Sequence, residues 1–129
     1  MFWPITRRLT IVPYALVAAL WFSGHAHAHA VVTESSLQTH PVRPRQPTTV
    51  ILNFNSGVEL PLSRVFLVSK GDVHQPAEIT AGKKPGEVLV RLPALTEGDY
   101  AIKYKIFAAD GHFTENVIRF TVQDTSQTR

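Results

Sequence analysis

Asp110, Gly111 and His112 put a carboxylate and an imidazole two residues apart, separated by a glycine that lets the backbone turn sharply. On an extended segment, side chains at i and i+2 lean to the same face, which would bring an oxygen and a nitrogen to one metal ion. Alone, such a triplet is more often an ordinary turn with a surface histidine. His29 changes that balance. A chain beginning with histidine offers its α-amine and its ring together, and the two close a chelate around a square-planar or tetragonal ion. Nitrogen and oxygen donors in that geometry favour Cu(II). The amine, with a free pKa of about 7.7–8.0, must lose its proton to bind, so such a site weakens in acid.

Whether His29 comes first depends on what precedes it. Arg7 and Arg8 form a basic start, and the apolar run from Ile11 to Phe22 spans 12 residues, interrupted by Pro13. A spanning helix needs about 20 apolar residues, so the layout is that of a cleaved export signal, with an uncleaved anchor as the lesser reading. Small-x-small triplets allow a cut after Ala28, leaving His29 first, or after Ala26, leaving His27 first. A cut after Ala30 removes these histidines altogether. His27-Ala28-His29 as a start would itself bind Cu(II) or Ni(II) through its amine, two amides and the third-position ring, whatever the fold. Spacing alone leaves all three open. It also leaves open that His25, His27 and His29 are filler in a permissive cleavage region.

Composition removes other chemistries. The chain has no cysteine, and its single methionine is Met1, so the mature protein has no thiolate or thioether for Cu(I). Without Arg7 and Arg8, 11 basic residues face 10 acidic ones, which is no basis for a nucleic-acid binder. His40 and His74 read as loop residues, Tyr104 as core, and Glu34 and Glu115 as surface, with Glu115 a candidate hydrogen-bond acceptor beside the site.

The elements that must position these groups are short β-type runs. Val31–Ser35, Thr48–Phe54 and Arg64–Ser69 are rich in β-branched or aromatic residues. Glu87–Leu92, Tyr100–Phe107 and Val117–Val122 alternate with period two, turning Ile102, Tyr104 and Ile106 inward and Lys103 and Lys105 outward. A weak run at Ala77–Thr80 is a candidate seventh strand. Gly, Pro, Asn and Asp punctuate the gaps, and no segment shows a helical period. The expected fold is all-β, a Greek-key, immunoglobulin-like sandwich or barrel. The expected division is a signal over 1–28, one domain over 29–123 and a flexible tail over 124–129.

The sequence resembles the CopC family of periplasmic copper-binding proteins over nearly the whole mature chain. The matching segments are His29-Ala30-Val31-Val32-Thr33-Glu34-Ser35-Ser36 with Pro41, then Leu95-Thr96-Glu97-Gly98-Asp99-Tyr100. Ala108-Ala109-Asp110-Gly111-His112 and Phe120-Thr121-Val122 complete them. The resemblance implies a periplasmic sandwich holding one Cu(II) through the amine and ring of His29 with Asp110 and His112, and a cut after Ala28. It also implies delivery to an inner-membrane copper importer of the CopD type. Apart from the resemblance, the expected oligomeric state is a monomer. Some family members place a further acidic ligand after the second strand, where this chain has Phe54-Asn55-Ser56-Gly57-Val58. Others carry a methionine-rich Cu(I) segment, which this chain lacks.

The expected function is therefore a Cu(II) carrier or buffer in copper homeostasis or resistance, without catalysis. Two alternatives compete. An N-terminal-histidine copper monooxygenase would need open copper positions and surface aromatics, but Trp3 and Trp21 both lie in the signal. A metal-free adhesion sandwich would act through an exposed edge strand.

Overall fold

Alternating apolar side chains give each strand one face that must be covered, and two sheets covering one another satisfy that need. The computed structural model describes residues 30–124; the expected signal, His29 and residues 125–129 lie outside them. Eight strands follow in order among the described residues: β1 (Val32–Ser35), β2 (Thr48–Phe54), β3 (Arg64–Ser69), β4 (Val73–Pro76), β5 (Glu78–Ala81), β6 (Glu87–Leu92), β7 (Gly98–Phe107) and β8 (Phe113–Val122). They form two four-stranded sheets, β1-β2-β6-β5 and β4-β3-β7-β8. Every pairing is antiparallel. The all-β sandwich read from the sequence is what the chain forms. Among the described residues no helix is long and apolar enough to cross a membrane.

The core lies between the sheets. Val50, Leu52 and Phe54 of β2 and Val88, Val90 and Leu92 of β6 meet Val65 and Leu67 of β3 and Ile102, Tyr104 and Ile106 of β7, all buried. The Tyr104 ring packs edge-on against Phe54 at 5.4 Å. Each such aliphatic side chain contributes about 1.5–3 kcal/mol on burial, which in a chain without disulfides is the main source of stability.

Several boundaries, and one whole strand, differ from the sequence reading. β7 begins at Gly98, and β8 begins at Phe113, because the β7–β8 ladder stays in register from Gly98↔Val122 to Phe107↔Phe113. β4 occupies a stretch that reads as loop; its four residues are all exposed, so no apolar alternation marks it. The weak run near Ala77 does form a strand, β5.

Candidate metal centre

The β7–β8 connection is short and closed by its own backbone. Ala108 N–H donates to the His112 carbonyl at 2.8 Å, and Gly111 N–H donates to the Ala108 carbonyl at 2.9 Å. Gly111 sits at φ +90°, a region that costs an L side chain strain. Asp110 and His112 therefore meet across a turn, and the extended segment expected for them is absent. The glycine reverses the chain, and Asp110 Oδ1 accepts the His112 N–H at 3.1 Å.

The two functional groups face each other. Asp110 Oδ2 lies 3.1 Å from Nδ1 of His112, whose ring is 42% exposed. Nδ1 itself is shielded from water. Hydrogen bonding from the His112 backbone N–H, then from its ring, holds the Asp110 carboxyl below the usual aspartate range. The carboxylate thus stays ionised, the form that binds a cation. At 3.1 Å the two groups form a hydrogen-bonded pair, and a metal ion held by both would take the place of the proton between them.

A second loop braces this turn. Ala109 N–H donates to the Gly57 carbonyl and Glu59 N–H to the Phe107 carbonyl, each at 2.9 Å, and Val58 bridges Ala108. The approach is close: a Cβ on Gly57 would lie 3.3 Å from the Ala109 side chain. Buried Ser63 ties this loop to the end of β7, its hydroxyl donating to the Glu59 carbonyl at 2.9 Å and accepting the Phe107 N–H at 3.0 Å. Both of its hydrogen bonds are internal, so the end of β7 is held firmly where the turn begins.

The same loop captures the first of the described residues. Val31 N–H donates to Asn55 Oδ1 at 2.8 Å, and Asn55 N–H donates back to the Val31 carbonyl at 3.0 Å. Ala30 is wholly buried. Residues 55–59 thus hold Val31 at one end and the Asp110 turn at the other. Of the expected ligands, Asp110 and His112 come together; His29 lies outside the described residues, but its neighbour Ala30 enters the fold at this end. Among the described residues no three His, Asp or Glu side chains cluster closely enough to hold a metal. Asn55 is the residue that sequence reasoning misses. In the sequence it marks only a position without a carboxylate, whereas in the fold its amide serves as a clamp.

The remaining candidates lie elsewhere. Glu115 is on the outer face of β8, 2.9 Å from Lys103 Nζ and 3.7 Å from Lys105 Nζ, so it braces β7 and does not face the centre. His40 bonds Thr39 at 2.9 Å. His74 pairs with Asp72 at 2.7 Å, beside the β3–β4 turn. The pairing of Val68 with Ala101 and of Arg64 with Lys105 puts that turn at the opposite end of the sheet from His112.

The sequence pattern of the CopC domain matches residues 32–123. The chain belongs to the CopC family. It is similar in structure to CopC from Methylosinus trichosporium OB3b, with 25% identity and a TM-score of 0.62 over 78% of this chain and 100% of that one. It is also similar to PcoC, a copper resistance protein from Escherichia coli, at 21% identity and a TM-score of 0.55, covering 72% of this chain and 99% of PcoC in its selenomethionine form. At that identity PcoC supports the CopC fold alone. No curated protein sequence matches the chain.

Proposed function

We propose that this CopC protein is an exported, periplasmic Cu(II) carrier or buffer that holds one ion per chain and performs no catalysis. The ligands are the α-amine and ring of His29, freed by cleavage after Ala28, with the Asp110 carboxylate and the His112 imidazole. The observation that carries this reading is the shared loop: Asn55 anchors Val31 while Gly57 and Val58 anchor the Asp110 turn. Two imidazoles, an amine and a carboxylate fill an equatorial plane, which leaves no position for a substrate. With no cysteine, and with methionine only at position 1, the donors favour Cu(II) over Cu(I). Membership of the CopC family, matched over residues 32–123, supports a place for the chain in copper homeostasis or resistance. Delivery of the ion would be to an inner-membrane importer of the CopD type.

The test is the intact mass and copper content of the protein recovered from the periplasm. The expected mass is that of a chain beginning at His29, carrying one copper through desalting. A chain beginning at Val31 would contradict the ligand set, and a His29 chain that loses copper on desalting would contradict the carrier role.

A further inference from the structure

The two sheets expose four edge strands, and three of them are short. β1, β4 and β5 have four residues each; β1 also carries a register shift, and β4 ends in Pro76. Short, bulged or proline-bearing edges resist pairing with another chain. β8 is different. It has ten residues, no proline, and an unbroken register against β7 from end to end.

Its free edge is carried by the odd-numbered residues. The Ala108–His112 hydrogen bond sets the alternation, by which even residues of β8 bond β7. Val117 N–H points the other way, where Asn116 Oδ1 accepts it at 2.8 Å. The odd side chains lie on the outer face of the sheet and include Glu115, Val117 and Arg119. Val117 is 44% exposed. Arg119 is exposed and has no acidic partner among the described residues.

We propose that β8 is a pairing edge for a second copy of this chain, joined antiparallel about a two-fold axis at Val117. In that register Val117 meets Val117 of the other copy, and Glu115 meets Arg119 twice, once on each side of the axis. Odd residues oppose odd residues, so the outward N–H and C=O groups bond one another and all paired side chains share one face. Shifting the axis to residue 115 opposes two glutamates, and shifting it to residue 119 opposes two arginines. Glu115 is also held by Lys103 and Lys105 of its own chain, so it is the Glu115–Arg119 pairs and the repulsion of opposed Arg119 side chains that favour the register at Val117. Asn116 holds the Val117 N–H while the chain is alone and yields it on pairing, which makes the association reversible. Because the strands run opposite ways, the two Asp110–His112 turns lie at the far ends of the eight-stranded sheet. Such a dimer forms whether or not copper is bound, and it departs from the monomer expected from the sequence.

The native chain contains no cysteine, so a single introduced thiol reports on the pairing. Residues opposed in such a pair have Cα atoms about 5.5 Å apart, which suits a disulfide. The mature protein should show a concentration-dependent dimer in sedimentation, and Val117→Cys should oxidise to a covalent dimer far faster than Thr121→Cys, whose two copies lie apart. Arg119→Glu, which opposes glutamates twice, should raise the dimer dissociation constant about tenfold or more. Val117, Thr121 and Arg119 are exposed, so the variants keep the fold. A monomer at every concentration, equal oxidation of the two cysteine variants, or a dimer indifferent to Arg119→Glu would overturn the proposal.

Discussion

Asn55 and Val31 hold each other by two hydrogen bonds, side chain to backbone at 2.8 Å and backbone to backbone at 3.0 Å. The amide of one residue thereby fixes where the chain enters the sandwich, two positions from His29. Asn55→Ala removes the side-chain bond and should cost about 0.5–1.5 kcal/mol in unfolding free energy. Because the loss falls on the tether of the proposed ligand His29, Cu(II) affinity should fall about tenfold, a change of about 1.4 kcal/mol. Asn55→Asp keeps an acceptor for the Val31 N–H and should restore both. Urea unfolding and a competitive Cu(II) titration measure the two effects; unchanged affinity in Asn55→Ala would show that the clamp does not serve the site.

Gly111 meets no atom within 4 Å where a Cβ would stand, so space is not what requires glycine there. The requirement comes from the backbone, whose φ at this position is +90°. Gly111→Ala should destabilise the protein by about 1–2 kcal/mol through backbone strain. If the turn relaxes to relieve that strain, Asp110 and His112 separate, and copper affinity falls with stability. Thermal unfolding with and without Cu(II) distinguishes this from a simple local cost, which would leave the copper-induced rise in Tm intact.

The Asp110 carboxyl is held below the ordinary value of 3.8, first by the His112 backbone N–H and then by the His112 ring. A lowered carboxylate pKa contributes stability above the unfolded value, and that contribution is lost as pH falls through the folded one. In the metal-free protein, carbon-13 NMR should show Asp110 titrating below a free aspartate. His112→Ala should raise it only part of the way, since the backbone donor remains. In the proposed site, copper release on acidification would then begin with protonation of the His29 α-amine, while Asp110 is still ionised. An Asp110 titrating at or above the free value would contradict this order.

Which elements can be read from the sequence follows from which residues meet water. The cores of β6 and β7 are readable because Val88, Val90 and Leu92, and Ile102, Tyr104 and Ile106, alternate with polar or outward side chains. β4 is not readable because Val73, His74, Gln75 and Pro76 are all exposed, and an edge strand without a buried face leaves no pattern. The first residues of β8 escape notice for a related reason: Thr114 and Asn116 are polar although they continue the inward row of Ile118, Phe120 and Val122. At the site, Asp110 and His112 stand out by residue type. The role of Asn55 does not, because it rests on a contact across 24 positions of sequence that no local spacing encodes.

Binding of copper by the α-amine of His29, beside Asp110 and His112, is the step on which the proposed site depends. Electron paramagnetic resonance of the Cu(II)-loaded mature protein addresses it, set against a form carrying one extra Met before His29. The chain that starts at His29 should give a tetragonal spectrum with nitrogen-rich hyperfine structure. Moving the amine one residue away should change that spectrum and weaken binding greatly. Identical spectra and equal affinity in the two forms would contradict the amine as a ligand.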